Sequence, residues 1–263
     1  MNFLTKDIDV ISFITTAGIT GGTEFSAINY LVLALKNNNL WNNIKALYPF
    51  VGGTANTHKF NLKNPLDTDG AFRLTFNGTI THDSNGVSFS AVDGWANTHF
   101  IPNTHFTINQ ETLALYSRSS FSAATGGIDM GAATTLTQRS ELIIRSNLNG
   151  FVSNINSTTD GAGSASISTN TDGTGFYMAS RQTSTDLRIY KNGVQQDIAS
   201  SSNNGTRDAK KIYLGCRNVL NAPNGLTGRN FGLALIASPY TPDEAAIWYN
   251  IVQQYNTFLN RQV

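Results

Sequence analysis

The sequence predicts a mainly β protein: a single β-sandwich with short helices at the N-terminus and one helix at the C-terminus. From residue 59 onward, apolar and polar residues alternate with the two-residue period of half-buried strands. These segments recur about every ten residues, separated by glycine, asparagine, aspartate and serine, which is the pattern of a sandwich. Charged residues are only 13% of the chain, against roughly 25% in typical soluble proteins. This composition favours strands and turns over long solvated helices.

The N-terminal part of the chain has a helical pattern instead. Asp9 is predicted to cap a helix that ends at Gly18, and Thr23 a second helix that ends in the asparagine run 37–39. A third helix is predicted to end before Pro49. Its apolar residues are Trp41, Ile44, Leu47 and Tyr48. These helices are interpreted as a cap over one edge of the sandwich, and a docking module for a larger assembly is the alternative.

Strands are expected in order after this helical part. Phe72, Leu74 and Phe76 alternate with polar residues, and a turn at Gly78 is predicted to join them to residues 79–81 as a hairpin. Further strands are predicted at residues 87–89 after an Asn-Gly turn, and at 113–117, 141–145, 151–155, 165–168 and 176–179.

The clearest hairpin lies in the last third of the sequence. Residues 186–190 alternate in polarity, and residues 194–196 follow a turn at Asn192 and Gly193, two residues that tolerate positive φ. Short strands are then predicted at residues 211–215 and 231–236.

The C-terminal helix has a complete start signal. Thr241 at the cap, Pro242 at the first helical position and Glu244 three residues after the cap form a capping box. An apolar stripe follows at helical spacing, consisting of Ile247, Trp248, Ile251, Val252, Tyr255, Phe258 and Leu259. The predicted organisation is a helical N-terminal segment, 1–55, and a sandwich, 56–263, that ends in helix 242–260.

The order of these last segments resembles the laminin-G-like branch of the concanavalin A-like jelly rolls. The shared features are a strand, a Tyr-x-Asn-Gly turn at residues 190–193, a second strand, and a short Tyr-Leu-Gly strand at residues 213–215. One more strand then leads to a helix that begins Thr-Pro-Asp-Glu at residues 241–244. The resemblance implies a jelly-roll β-sandwich.

The sequence contains no catalytic motif. Glucanases of the concanavalin A-like class share a Glu-x-Asp-x-(x)-Glu strand, which places carboxylates on one face of a sheet, and this chain lacks it. It also lacks Gly-x-Ser-x-Gly, His-Glu-x-x-His and a phosphate-binding glycine loop. The prediction is a protein that is not an enzyme, with no catalytic residue, no cofactor and no metal site.

Clustered acids and histidines have structural interpretations. The close acidic pairs are Asp7/Asp9, Asp67/Asp69 and Asp243/Glu244. The first and last pairs fall at helix starts, where carboxylates interact favourably with the helix dipole. The middle pair is interpreted as a turn; calcium binding is the alternative, although the pair supplies only two carboxylates and lacks the rest of a calcium loop. Three histidines, His82, His99 and His105, lack zinc spacing and are expected to face solvent or to be hydrogen-bonded.

A carbohydrate-binding surface needs exposed aromatic residues beside amides or acids. Trp95, two residues after Asp93, and Tyr177 with Arg181 are the candidates. The stretch 87–95 also resembles the strand pair that opens the laminin-G-like fold, where the aromatic residue packs under a sheet edge. Packing is therefore the preferred interpretation for Trp95.

A second resemblance covers nearly the whole chain. Segment 40–65, with Trp41 and then Tyr-Pro-Phe-Val-Gly-Gly at residues 48–53, is similar to the opening of a family of bacteriophage structural proteins. These proteins are common in phages of Bacteroidetes hosts and carry a helical N-terminus before a concanavalin A-like sandwich. Residues 69–76 and 261–263 extend the similarity. The resemblance implies a non-catalytic virion protein of the capsid, tail or fibre.

This resemblance also implies partners and a location. Other virion proteins in a homo-oligomeric or multicopy assembly are expected, in a virion assembled in the host cytoplasm. Loops 201–205 and 221–228 are expected to face outward and to contact a host-surface glycan. The alternative function is a carbohydrate-binding, lectin-like module. A net charge of +1 favours neither nucleic acid nor a membrane surface, and the sequence shows no signal peptide and no apolar run of spanning length.

Overall fold

Two β-sheets and a layer of helices form the structure, a computed structural model that describes residues 6–121, 127–135, 138–157, 163–199 and 206–263. The helices are α1 (Ile8–Ala17), α2 (Gly22–Asn37), α3 (Ala55–His58), α4 (Pro102–His105) and α5 (Pro242–Phe258). The strands are β1 (Ile44–Tyr48), β2 (Thr75–Asn77), β3 (Ile80–Asp83), β4 (Gly86–Phe89), β5 (Trp95–Asn97), β6 (Glu111–Ser117), β7 (Met130–Thr135), β8 (Gln138–Ile143), β9 (Phe151–Ser157), β10 (Ala165–Ile167), β11 (Gly175–Thr183), β12 (Asp186–Lys191), β13 (Val194–Ala199), β14 (Tyr213–Leu214), β15 (Arg217–Val219), β16 (Ala222–Asn224) and β17 (Asn230–Ala237).

The first sheet has the strand order β13-β12-β11-β6-β17-β4-β3. Strand β17 is central, because it pairs with β6 along one side and with β4 and then β1 along the other. Both faces of β17 are buried: Leu233 and Leu235 lie in one core, and Ala234 and Ile236 lie in the other.

The second sheet has the strand order β10-β9-β8-β7-β14-β5-β2, and β15 joins it by pairing with β7 and β16. Its pairings are antiparallel except for the parallel pair of β15 and β7. The two sheets enclose one core between them, which includes Leu115, Met130, Phe151 and Tyr177.

The second core lies between the first sheet and the helices. Helices α1, α2 and α5 pack there against Tyr116, Met178 and Leu235 of the sheet. The layers therefore run from helices to first sheet to second sheet, and the opposite face of the second sheet belongs to neither core. No helix in the described part of the chain is long and apolar enough to span a membrane.

The first two predicted helices are confirmed, with shifted starts. Asp7 rather than Asp9 caps α1, because Asp7 Oδ1 accepts the Asp9 N–H at 2.9 Å. Lys36 of α2 lies within 2.7 Å of both carboxylates and so joins the two helices. Gly21 rather than Thr23 precedes α2, and its extended backbone supplies the cap geometry without a side-chain bond.

The third predicted helix is wrong, because residues 41–48 form a single 3₁₀ turn, Trp41–Asn43, followed by strand β1. The apolar run looked helical since both faces of the strand are buried: Leu47 lies in the core under the helices and Tyr48 in the core between the sheets. Part of the predicted helical segment 1–55 is therefore a strand of the first sheet.

The predicted hairpin around Gly78 is also wrong. Strand β2 pairs with β5 in the second sheet, and β3 pairs with β4 in the first, so Gly78 carries the chain from one sheet to the other. Its φ of 70° and the closeness of the Asp93 carbonyl, which a Cβ would strike, explain why glycine occupies this position. Phe72, with φ of 62°, precedes the strand instead of belonging to it.

Several local predictions are confirmed. Thr241 and Glu244 form the capping box of α5. Asn192 and Gly193 have φ of 51° and 75° in the turn between β12 and β13, as a tight hairpin requires. The other predicted strands correspond to β4, β6, β8, β9, β10, β11, β14 and β17. Loop 201–205, predicted to face outward, lies outside the described residues.

Candidate functional site

A row of residues crosses the outer face of the second sheet, the face that belongs to neither core. The register pairs Thr75 with Asn97, Asn97 with Tyr213, and Tyr213 with Gly131. A Cβ on Gly131 would lie 2.7 Å from Cβ of Glu141, so Glu141 continues the row on the next strand. Directly paired residues point to the same face. We call this set the outer row: Thr75, Asn97, Tyr213, Gly131, Glu141 and Asn154.

An aromatic pair stands beside the outer row. Trp95 stacks on Tyr213 with ring centroids 4.2 Å apart and planes inclined by 26°. Trp95 faces outward because its neighbour Ala96 is fully buried in the core between the sheets. Tyr213 is only 4% exposed, whereas Trp95 is half-buried. Trp95 does pack, as preferred from the sequence, but on the sheet's outer face, where part of its ring reaches solvent.

Amide and hydroxyl groups surround this aromatic pair. Asn97 lies two residues after Trp95, and Asn77 is the cross-strand partner of Trp95. Asn97 Oδ1 accepts the backbone N–H of His99 at 2.8 Å, which fixes the amide. No described residue accepts a hydrogen bond from Asn97 Nδ2, so this donor is free for a ligand. Asn77 Nδ2 donates to the Thr75 carbonyl at 3.0 Å.

His99 forms the rim of the site. Its Nε2 lies 2.8 Å from Thr75 Oγ1, and its Nδ1 lies 3.4 Å from an Asp69 carboxylate oxygen. Burial lowers the pKa of His99. The Asp69 carboxylate opposes this change, whereas the charges of Lys211 and Arg73 lower the pKa further. The ring is therefore neutral at pH 7, when it can either accept or donate a hydrogen bond at Nε2.

The acidic residues of the neighbouring turn form ion pairs. Asp67 lies 2.7 Å from Lys59 and 3.2 Å from Arg73, and Asp69 lies 3.1 Å from Arg73. A cleft of about 360 Å³, lined in part by Lys59, Arg73 and Thr75, separates these groups from α3. The described residues contain no group of three or more histidine, cysteine or acidic side chains that could hold a metal ion.

A buried carboxylate ends the outer row on the other side of Tyr213. Glu141 is 1% exposed and bonds to Arg139 at 3.1 Å, Arg217 at 3.0 Å and Asn154 at 2.8 Å. Arg217 also donates to Asn224 at 3.2 Å, which ties β15 to β16. Because its oxygens are occupied, Glu141 stabilises this face of the sheet and offers no free base.

The other aromatic candidate from the sequence lies in the interior. Tyr177 is fully buried, donates from its hydroxyl to the Asp172 carbonyl at 2.7 Å, and has a pKa that burial raises. Arg181 is also fully buried and donates to backbone carbonyls, including those of Ser184 at 3.0 Å and Gly163 at 2.8 Å. Neither residue belongs to a ligand surface.

Sequence reasoning found Trp95 but missed its neighbours. Asn97 was detectable, since the two-residue period of a strand places it on the same face as Trp95. Tyr213 was not, because only the pairing of β14 with β5 brings it there. His58 was overlooked, although its Nδ1 lies 3.1 Å from Nδ1 of His82.

No protein-family model matches the chain, and no curated protein matches it in sequence. Solved structures match it in fold. One is botulinum neurotoxin type C, which depends on interaction with two ganglioside molecules to enter cells. That match has a TM-score of 0.53 and 12% sequence identity, and it covers 82% of this chain and 53% of that chain. Another is the binding domain of botulinum neurotoxin DC in complex with rat synaptotagmin II. That match has a TM-score of 0.53 and 9% sequence identity, and it covers 81% of this chain and 52% of that chain.

A third similar structure is domain 4 of an extracellular arabinanase from Geobacillus stearothermophilus in complex with arabinotriose, with TM-score 0.48, 17% identity, 80% of this chain and 98% of that chain. This chain spans about half the length of the toxin structures. The fold class predicted from the sequence is confirmed: a concanavalin A-like, laminin-G-like jelly-roll β-sandwich with short N-terminal helices and a C-terminal helix.

Proposed function

We propose that this chain is a non-catalytic carbohydrate-binding domain, and that its ligand lies on the outer face of the second sheet around Trp95. The observation that carries the proposal is the stack of half-buried Trp95 on Tyr213, with Asn97 and Asn77 beside it. Sugar rings present apolar C–H faces and hydroxyl rims, so they match a flat aromatic surface bordered by amides.

The stack gives the site the rigidity that binding needs. Tyr213 holds one face of the Trp95 ring, so the indole does not have to be ordered when a ligand arrives. The bond from His99 N–H fixes the Asn97 amide in the same way. The ligand then meets an aromatic surface and a hydrogen-bond donor that are already in place.

The charges near the site favour binding over catalysis. Glycoside hydrolysis needs two carboxyl groups free to act as acid and as base or nucleophile. Asp69 is paired with Arg73, and Glu141 is held by Arg139 and Arg217. The ganglioside interaction of the similar toxin also supports a glycan ligand.

The experiment that tests this function is oligosaccharide binding by the wild-type chain and by Trp95→Ala. Binding that depends on Trp95 supports the proposal. Binding that survives the substitution places the ligand elsewhere, and absence of binding to any oligosaccharide rejects the function.

A second candidate function concerns where the domain works. We propose that it is a component of a phage virion, on the capsid, tail or fibre, in contact with other virion proteins. The resemblance of segments 48–53 and 261–263 to phage structural proteins supports this, and these segments touch in the structure through Arg261. Mass spectrometry of purified particles tests it, since a virion component must be present in them in stoichiometric amounts.

A further inference from the structure

All four histidines of the sequence lie within or next to one segment, residues 72–82. The contacts are His105 with Phe72 at 4.9 Å and His82 with Phe76 at 4.5 Å between ring centroids, His99 Nε2 with Thr75 Oγ1 at 2.8 Å, and His58 Nδ1 with His82 Nδ1 at 3.1 Å. The segment contains β2 and β3, the last strands of the second and first sheets in their respective orders. The segment therefore supplies one edge strand to each of the two sheets.

The hydrogen bond between His58 and His82 and the one between Gly53 and His58 together require both rings to be neutral. The backbone N–H of Gly53 donates to His58 Nε2 at 3.1 Å, so His58 carries its proton on Nδ1 and donates it to His82 Nδ1. A proton added to His82 Nδ1 would face the His58 N–H, and one added to His58 Nε2 would face the Gly53 N–H. Neither ring can be protonated without losing a hydrogen bond.

The surroundings of the pair also disfavour a positive charge. His58 is 1% exposed, and burial, His82 and Arg261 lower its pKa to about 3. Burial lowers the pKa of His82, and Asp83 opposes this. The pKa values of the other two rings are lowered as well. Burial and the charge of Lys45 lower the pKa of His105. Burial lowers the pKa of His99, Asp69 opposes this change, and the charges of Lys211 and Arg73 lower the pKa further.

Two short strands make up this edge. Strand β2 has three residues and, in the part of the chain that the structure describes, pairs on one side only, with β5. Its other side is tied to the rest of the chain by Leu74, whose N–H donates to the Lys59 carbonyl at 2.7 Å, next to His58. Loss of the histidine bond would thus act on α3, β3 and β2 together.

We propose that acid opens this edge of the sandwich: protonation of the His58–His82 pair releases segment 72–82 from α3 and β5, while the central strands stay paired. The opened edge takes up protons that the closed edge excludes. For each imidazole that ionises only in the open form, the opening constant rises about tenfold per pH unit below pH 6.5. This inference does not depend on carbohydrate binding.

The test is hydrogen exchange of peptides from residues 72–82, at pH 7.5 to 5.0, with peptides from β6 as the internal reference for intrinsic exchange. We expect the ratio of edge to β6 exchange to rise at least tenfold in the wild type. It should rise less in His82→Gln, which leaves His58 as the one ionising imidazole of the pair, and should still rise in His105→Gln. A constant ratio in the wild type, or a full rise in His82→Gln, overturns the proposal.

A second measurement covers the case in which His82→Gln does not fold. The four imidazole signals of the wild-type chain can be titrated by NMR. We expect the His58 and His82 signals to shift together, at the pH at which the edge begins to exchange. Titration of either ring near pH 6.5 with unchanged edge protection overturns the proposal.

Discussion

Arg261 donates hydrogen bonds to the backbone carbonyl of Phe50, at 2.7 Å, and to that of Pro49, at 2.9 Å, although Arg261 is far from both residues in the chain. The guanidinium also donates to the Gly232 carbonyl at 2.7 Å and is 1% exposed. It thereby satisfies two carbonyls that follow β1 and one within β17. The Arg261 side chain thus helps to join the C-terminus to the first sheet.

We predict that Arg261→Met lowers the free energy of unfolding by roughly 3–5 kcal/mol, because it leaves several buried carbonyls without donors. Urea denaturation measures the loss. Arg188→Met is the matched control: Arg188 pairs with Asp186 near the surface, so its loss should cost less than about 1 kcal/mol. Equal losses in the two variants would contradict the role of Arg261.

The second prediction concerns the core under α5. Trp248 is fully buried between Phe176 and Tyr240, with ring centroids at 6.5 and 5.5 Å. Trp248→Ala should cost roughly 3–5 kcal/mol, as a large cavity in a packed core does. Trp248→Phe keeps an aromatic ring in the core, so it should cost only about 1–2 kcal/mol. A loss below about 1 kcal/mol in the alanine variant would place the ring outside the core.

The third prediction is a pH dependence. Glu111 is fully buried, and among the described residues it accepts one hydrogen bond, from Ser140 at 3.0 Å; burial raises its pKa to about 8. Between the unfolded pKa near 4.5 and about 8, the folded chain keeps a proton that the unfolded chain loses. Stability attributable to this group therefore falls by about 1.4 kcal/mol per pH unit across that window.

Glu111→Gln removes this dependence, because the amide stays neutral and can still bond to Ser140. Urea midpoints should therefore match the wild type near pH 4.5 and exceed it increasingly up to pH 8. Glu24→Gln, at a half-buried position on α2, is the control and should follow the wild type. A variant less stable than the wild type at pH 8 would contradict a neutral Glu111.

The features predicted from the sequence are those that local spacing determines. The capping box at Thr241 and the turn at Asn192 depend on neighbouring residues, and both are confirmed. Strand β1 could not be distinguished from a helix, because both of its faces are buried by partners far along the chain. The candidate site was only partly predictable for the same reason: Trp95 has a local signal, whereas Tyr213 reaches it only through the register of the second sheet.

The most direct test of the proposed function is binding to an array of neutral and sialylated oligosaccharides, followed by titration of the strongest one. We expect Trp95→Ala to weaken binding at least tenfold, about 1.4 kcal/mol, at a temperature where the variant is still folded. Asn97→Ala should weaken it less, and Val92→Ala, at an 84% exposed position close by in the chain, should bind like the wild type. A wild-type chain that binds no oligosaccharide, or a Trp95→Ala variant that binds with wild-type affinity, would contradict the account.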